Sequence, residues 1–459
     1  MEQSVNMREV AMLVLLDVEQ KNKMLNESLH NMLKRYQYCS KTDRAFLSRL
    51  CEGVVERQIY LDYIINAFSK TKVNKCKPLI RVLLRMAVYQ MFFMDSVPDE
   101  AACNEAVKLA KKKGFHSLSG FVNGVLRNIA RNKSTIAFPN ENDNKEMYLS
   151  VMYSTPEWLV TYLLRYYDYE TVKGMLQAFM AESRTTIRLN QSKCNMDELK
   201  RLLSEKQVET EPSPYVETAL RLTEYNYMRR VPGFSDGLFG VQDESSMLVG
   251  VLANPKAGDM IIDMCAAPGG KTLDVADRLR FSEQTMHSDV HGVIISRDVS
   301  QQKIDKIQEN LERMEFDNVR LEVKDACELD EDMIEQADIV ICDVPCSGIG
   351  VIGRKQDIKY RLEEKQLSEL VTLQRAILAN GVQYVKTGGT LMFSTCTVNP
   401  KENEENREWL LSNFSLEPVN ITMDLPEKLR SESTDKGYLS LIPGKQDCDG
   451  FFIAKFKKI

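Results

Sequence analysis

Asp263-Met264-Cys265-Ala266-Ala267-Pro268-Gly269-Gly270-Lys271-Thr272 is the stretch that decides the fold. It continues a short apolar run, Asp259–Met264, with the length and composition of a buried strand. Small residues and two glycines let the backbone approach a ligand closely, and the helix expected next offers free N–H groups to an anionic group. The segment is not G-x-G-x-x-G, and it lacks the first glycine of a Walker A loop. Further apolar strands stand at Val293–Ser296, Ile339–Cys342 and Thr390–Phe393, and another is expected just before Lys324. Helical stretches such as Ser300–Met314 and Lys365–Tyr384 separate them, and Phe451–Lys455 closes the chain as a last strand. Strands alternating with helices predict an α/β domain over 241–459, a mostly parallel sheet with helices on both faces.

Ligands of an open α/β sheet bind beyond the carboxyl ends of its strands. Asp298 follows the second strand, where an acid commonly accepts hydrogen bonds from ribose hydroxyls. Lys324-Asp325-Ala326 follows the third, Asp343-Val344-Pro345-Cys346-Ser347-Gly348 the fourth, and Ser394-Thr395-Cys396-Thr397 the fifth. Any one of these acids alone reads as a solvated loop residue or a helix cap. In this order they describe a nucleoside-containing cofactor lying across the sheet. A cysteine in a polar turn after a strand is a nucleophile candidate, which singles out Cys346 and Cys396. Cys265, Cys327 and Cys342, with Cys39, Cys51, Cys76, Cys103 and Cys194, are expected to pack as small apolar side chains.

Outward from this domain, residues 1–135 read as an all-helical bundle. Apolar residues recur at helical spacing in Val10–Leu16 and Leu79–Ala87, with helix-start signals at Ser40-Lys41-Thr42-Asp43 and Val97-Pro98-Asp99-Glu100. Residues 136–240 read as a polar linker and a small α+β subdomain, with helical pieces at Leu159–Tyr167 and Met196–Ser204 and a strand at Thr185–Asn190. The 459 residues carry a formal net charge of −6, but residues 1–140 carry +9 and the remainder −15. That asymmetry suggests a basic partner-binding module in front. Candidate contacts are Lys111, Lys112, Lys113, Arg127, Arg131 and Arg188, each of which also reads as an ordinary solvated cation.

Apolar and charged fractions are ordinary for a globular chain, and no apolar run approaches the ~20 residues that span a bilayer. The Met1 end lacks the basic and apolar blocks of a signal peptide, so a cytoplasmic protein without a membrane partner is expected. Eleven cysteines without a C-x-x-C pair argue against a disulfide framework or a zinc site. His287 and His291 have i, i+4 spacing but no cysteine pair nearby, and a solvated turn is the reading preferred over a metal site.

The segments Cys265–Lys271, Asp343–Gly348 and Ser394–Thr397, in this order and spacing, resemble signature motifs of the RNA cytosine-C5 methyltransferases, the Nol1/Nop2/Sun family. Asn104-Glu105-Ala106-Val107 and Phe121–Arg127 resemble a NusB-like RNA-binding domain. The resemblance covers essentially the whole chain. It implies a Rossmann-like methyltransferase domain behind an all-α NusB-like bundle and a small α+β insert. The combination is similar to members acting on 16S ribosomal RNA, which implies S-adenosylmethionine as methyl donor, no metal, and an unpaired 16S loop at cytosine 967 as target. A monomer is the expected state.

The resemblance assigns attack on C6 of the base to Cys396 and release of the methylated RNA to Cys346. Asp343 is then placed at the N3/N4 edge of cytosine, with a proton if it donates to N3, and Lys271 polarises the base or supports the thiolate. Cys265, Ala266, Ala267, Pro268, Gly269, Gly270 and Lys271 would hold the methionine end of the cofactor, with Asp343 at the same site. Asp298 would take the ribose hydroxyls and Asp325 the adenine edge. The loop after Cys346 departs from the family pattern, with Gly353 for an arginine, Gln356 for a proline and Tyr360 for a tryptophan, and before it Val344 stands for a more usual alanine. Three alternatives stay open: Cys346 as nucleophile, as in DNA cytosine-C5 methyltransferases; the same chemistry on transfer RNA; and a non-catalytic ribosome-assembly or antitermination factor.

Overall fold

The computed structural model describes residues 5–225 and 227–459. The chain divides into two compact units: residues up to 181 with Ile352–Leu362, and Glu182–Val351 with Glu363–Ile459.

The first unit is helical. Its axis is the helix Pro78–Phe93, in which every residue from Val82 to Met91 is buried. A helix enclosed on all sides belongs at the centre of a bundle. Pro78 opens it, where a missing N–H leaves no bond unmade. Helices Met7–Gln20, Lys41–Glu56, Asp99–Lys112 and Ser119–Arg131 surround it. Gly53 permits one of these contacts, since a Cβ there would fall 2.0 Å from the Tyr89 ring. Ser40 caps the helix Lys41–Glu56 by accepting the Asp43 N–H, and Asp99 and Glu100 open the helix Asp99–Lys112, as the two start signals predict.

Helices Lys145–Met152, Glu157–Leu164 and Tyr169–Phe179 fall in this helical unit, whereas the sequence boundaries grouped them with the strands that follow. An amphipathic helix shows that it has an apolar face but not which neighbour covers it. Ile352–Leu362 also lies in this unit, far in sequence from the rest of it. Asp357 Oδ2 accepts the Leu25 N–H at 3.0 Å, supplying the cap that Met24 lacks for the helix Leu25–Arg35. The Tyr360 hydroxyl donates to the Ser154 carbonyl at 3.0 Å, and Arg361 donates to the carbonyls of Asn22 and Lys23.

The second unit holds two sheets. Strands β1 (Thr185–Leu189), β2 (Glu209–Pro212), β3 (Ala219–Glu224) and β4 (Phe239–Val241) form an antiparallel sheet in the order β2-β3-β1-β4. The helix Met196–Glu205 covers it through Leu199 and Leu203.

The larger sheet contains β5 (Met260–Asp263), β6 (Val293–Asp298), β7 (Val319–Val323), β8 (Ala337–Asp343), β9 (Val385–Thr395), β10 (Leu416–Pro418), β11 (Tyr438–Leu441) and β12 (Phe451–Lys458). Its order is β10-β12-β9-β8-β5-β6-β7, with β11 paired to β12. Strands β5 to β9 are parallel, and β12 runs antiparallel to β9. Ile261 and Ile262 in β5 enter different apolar cores, as a strand covered on both faces must. Helices Glu244–Ala253, Gly270–Met286 and Gln301–Met314 contribute to one core, and Glu364–Tyr384 and Glu404–Asn413 to the other. From β5 the chain winds outward through β6 and β7, then returns to β8 on the other side of β5. The crevice between β5 and β8 is therefore the switch point of the sheet. Among the described residues, no helix is long and apolar enough to cross a membrane.

Candidate active site

The switch point gathers three of the singled-out segments. The turn after β5 is held shut by backbone bonds, Ala266 N to Arg297 O at 2.8 Å and Gly269 N to Ala266 O at 2.7 Å. Gly269 sits at φ +105°, a conformation open to glycine, and is the N-cap of the helix Gly270–Met286. No side chain caps that helix, so its first amides face the crevice as an anion-binding end. Asp263, fully buried under the turn, accepts from the Thr272 hydroxyl at 2.7 Å through one oxygen, while the other has no partner. Burial, with the nearby Asp343 charge, pushes the Asp263 carboxyl up to about 7. An uncapped helix end behind two glycines fits a ligand with an anionic group, as the methionine end of S-adenosylmethionine has in its carboxylate.

Asp298 ends β6 beneath the same turn. It accepts the N–H of Ala267 at 3.1 Å and of Val299 at 2.7 Å, and Lys303 lies 3.0 Å away. Asp325, just beyond β7, is exposed and accepts the Cys327 N–H at 2.9 Å. Asp298 is thus brought against the cofactor turn, and Asp325 stands at the same sheet edge two strands away.

β8 and β9 carry the two nucleophile candidates. Asp343 pairs in register with Ser394, and the turns beyond them bring Cys346 Sγ and Cys396 Sγ to 3.2 Å. Backbone bonds lock the turns together, from Val344 N to Ser394 O at 3.1 Å and from Gly350 N to Cys396 O at 3.2 Å. Glu402, fully buried, accepts the Ser347 N–H at 2.9 Å and the amides of Gln374 and Asn399 at 2.8 Å each. One carboxylate therefore ties both cysteine turns. The Cys346 thiol is pushed well up by its hydrogen bond to Cys396, by burial and by the carboxylates of Glu402 and Asp343.

Lys271 spans from the cofactor turn to this pair. It is only 9 % exposed, so it is not a helix-start lysine in solvent. Its Nζ donates to Asp343 Oδ2 at 2.7 Å and to Ser246 Oγ at 3.0 Å, and lies 5.0 Å from the Phe451 ring centroid. Burial lowers its pKa, but the charges of Asp343, Asp263 and Cys396 outweigh that and hold it above its ordinary value. Asp343 accepts through both oxygens, from Lys271 and from Ser394 Oγ at 2.7 Å. As built, both of its oxygens are acceptors.

Two sequence expectations are corrected here. Arg188 is no free RNA contact: it is 2 % exposed and bonded to Asp277 at 3.1 Å and to Gln242 at 3.0 Å. A β1 residue facing the helix Gly270–Met286 has no water to reach. Cys327 is exposed, not packed, because it lies in the turn after β7 rather than in a strand. Of the other basic candidates, Lys112 and Lys113 pair with Glu9 at 2.6 and 2.8 Å, while Lys111, Arg127 and Arg131 are exposed. His291 lies 3.2 Å from Glu283, and among the described residues no group of three or more metal-ligating side chains stands together. The sequence reading missed Ser246, Ser394 and Glu402. Ser394 was visible beside Cys396 at a strand end. Ser246 and Glu402 carried no signal but their polarity.

A doubly wound sheet with a glycine turn after its first strand, reactive side chains at its switch point and an antiparallel strand beside β9 is the arrangement of the Rossmann-like S-adenosylmethionine-dependent methyltransferases. Comparison with known proteins narrows the class. Residues 250–457 match the model of the family described as 16S rRNA methyltransferase RsmB/F, 155–228 an RsmF/B-like ferredoxin-like domain, and 5–131 the NusB family. The probable ribosomal RNA small subunit methyltransferase B of Bacillus subtilis is 33 % identical over 99 % of both chains. Ribosomal RNA small subunit methyltransferase B of Klebsiella pneumoniae is 29 % identical over 100 % of this chain and 99 % of its own. A solved methyltransferase homologue from Pyrococcus horikoshii, 26 % identical, covers 69 % of this chain and all of its own with a TM-score of 0.59. The chain belongs to the RsmB/F family of 16S rRNA methyltransferases.

Proposed function

We propose that this protein transfers a methyl group to C5 of a cytosine in 16S ribosomal RNA, with cytosine 967 as the expected target, through a covalent cysteine–C6 adduct. The observation that carries the reading is the Cys346–Cys396 sulfur pair, 3.2 Å apart, beside the Lys271–Asp343 ion pair. C5 of cytosine is a poor nucleophile, and covalent catalysis splits the difficult step in two.

Cys396 adds as thiolate to C6, forming the S–C6 bond and pushing electrons towards C5, N3 and O2. Asp343 accepts from the N4 amino group, and the Lys271 ammonium stabilises charge entering the ring. S-adenosylmethionine supplies the methyl group that C5 takes. Water takes the C5 proton, the C5–H electron pair restores the C5=C6 bond, Cys396 leaves C6 as thiolate with S-adenosylhomocysteine as co-product, and Cys346 assists release of the RNA. The turn Cys265–Gly270 would hold the methionine end of the cofactor, Asp298 its ribose hydroxyls and Asp325 its adenine edge. The base must leave its stack to reach these groups, which favours an unpaired loop. The basic helical unit supports RNA binding, through exposed cations such as Lys111, Arg127 and Arg131.

The test uses labelled S-adenosylmethionine and unmodified 16S RNA with wild type, Cys396→Ala and Cys346→Ala. Cys396→Ala should give neither methylated RNA nor a denaturation-resistant adduct, and Cys346→Ala should accumulate adduct. The reverse pattern would make Cys346 the nucleophile. No transfer by wild type would overturn 16S RNA as substrate.

A further inference from the structure

Arg188, buried in the small sheet, fixes the state of a hydroxyl at the active site. A guanidinium only donates, and Arg188 Nε donates to Gln242 Oε1 at 3.0 Å. That settles which way the Gln242 amide faces, so its Nε2 donates to Ser246 Oγ at 3.3 Å. Lys271 Nζ donates to the same oxygen at 3.0 Å. Both lone pairs of Ser246 Oγ are then taken by donors, and its single proton must point elsewhere. Among the described residues no acceptor takes that proton. Ser246 is half-buried in the first turn of the helix Glu244–Ala253, and it shares Lys271 with Asp343. A half-buried hydroxyl whose oxygen is filled by two donors beside a buried ammonium can give its proton only to an acceptor from outside the chain, water or a bound ligand.

We propose that Ser246 is a further substrate-contacting residue, whose hydroxyl donates to the acceptor edge of the target pyrimidine, O2 or N3. The inference rests on the proposed cytosine-C5 reaction, in which that edge gains negative charge as sulfur adds to C6. Lys271 and Ser246 then act as adjacent donors to the ring, while Asp343 accepts. Gln242 and Arg188 are positioning residues: they keep the Ser246 oxygen occupied so that its proton stays available. Through them the small sheet reaches the reacting base without touching it.

The experiment follows adduct formation on a 16S transcript carrying 5-fluorocytidine, whose C5 has no proton to lose, so that the adduct is trapped after methyl transfer. Ser246→Ala should slow trapping roughly 100-fold. Its KM for S-adenosylmethionine should stay within about twofold of wild type, since only the reacting base loses a contact. Ser246→Thr, which keeps the hydroxyl, should retain the rate within about fivefold. Gln242→Glu should slow trapping although Ser246 is intact. A carboxylate at 242 accepts the Ser246 proton and turns it away from the base, and the ion pair with Arg188 preserves the fold. Trapping by Ser246→Ala at the wild-type rate overturns the inference alone. Absence of trapping by wild type overturns the parent reaction and the inference with it.

Discussion

Among the described residues two lysines are buried, one in each unit, and their surroundings differ in one respect. Lys271 is 9 % exposed and Lys359 only 1 %. Each lies beside an aromatic ring, Phe451 at 5.0 Å and Tyr360 at 5.2 Å from the centroid. Lys271 has a carboxylate at 2.7 Å, whereas Lys359 donates to a neutral carbonyl, that of Glu56, at 2.9 Å. Lys271 is held above its ordinary pKa because Asp343, Asp263 and Cys396 outweigh burial. Burial lowers Lys359 to about 7, with Arg57 adding to the effect and the Glu56 charge only partly opposing it. The Glu56 carboxyl is itself pushed up by burial, which weakens it as a counter-ion. Burial alone thus does not set the charge of a lysine; the partner does. A charged lysine at a strand-end crevice can do electrostatic work on a substrate, and a lysine poised near neutrality in a helical unit serves packing.

The comparison breaks first on activity. Lys271→Met should lower methyl transfer to 16S RNA roughly 1000-fold, the scale of removing a preorganised charge from a reacting centre. Lys359→Met should leave it within about threefold. Equal losses in a labelled-methyl assay would show that the two lysines are not different in kind. Asp343→Asn comes next, at roughly 100-fold. It also carries a sign. Lys271 acts as a cation, so activity falls as pH rises through its pKa. Asp343 is the first charge that raises that pKa. Its neutralisation should therefore move the alkaline limb of the kcat profile to lower pH. An unmoved limb would mean that another group titrates there.

The difference between the lysines also marks what the sequence could reveal. Lys271 was legible because it stands in Cys265–Lys271, directly after a strand, where local chemistry and sheet topology coincide. Cys346 and Cys396 were legible for the same reason, as polar-turn cysteines after adjacent strands. The alternating strands and helices of the second unit were read correctly as a mostly parallel sheet. Lys359 was not legible. Its burial depends on Ile352–Leu362 packing among helices more than 200 residues earlier, and no local pattern records a contact of that range. Arg188 misled for a related reason: an arginine in a strand looks like any surface cation until Asp277 is known to face it. Ser246 gained its place only when two helix starts came together, and Glu402 only when turns from separate strands did.

The third prediction concerns stability. In an unfolded chain Lys359 titrates near 10.4, and in the folded one about 7. Below pH 7 both states are protonated, and the cost of burying the charge is expressed in full. Between these values the unfolded state binds more protons, so this group makes stability rise with pH from about 7 to about 10.4. Lys359→Met removes that slope and one hydrogen bond, to the Glu56 carbonyl, of about 1 kcal/mol. At pH 6 the variant should be more stable by roughly 1–3 kcal/mol, and near pH 10 slightly less stable than wild type. Trp158 lies in the helical unit and Trp409 in the other, so urea unfolding in a Trp409→Phe background reports the unit that matters. A stability difference of the same sign at both pH values would show that Lys359 is charged throughout.

The smallest effect tests the feature the two lysines share. A cation over an aromatic face gains about 0.5–1 kcal/mol where water competes, and about 2 when it is desolvated. Both lysines have such a face at nearly the same distance, yet their pKa values move in opposite directions. The ring therefore orients the ammonium without deciding its charge. Phe451→Leu keeps an apolar side chain at the start of β12 and removes the ring under Lys271. Lys271 is buried, so the loss in methyl transfer should reach at most about 30-fold, which is about 2 kcal/mol. The alkaline limb of the kcat profile should stay near its wild-type position, in contrast to Asp343→Asn. If Phe451→Leu moved the limb as far as Asp343→Asn does, the aromatic face would share in holding the proton, and the carboxylate would no longer be the sole distinction between the two sites.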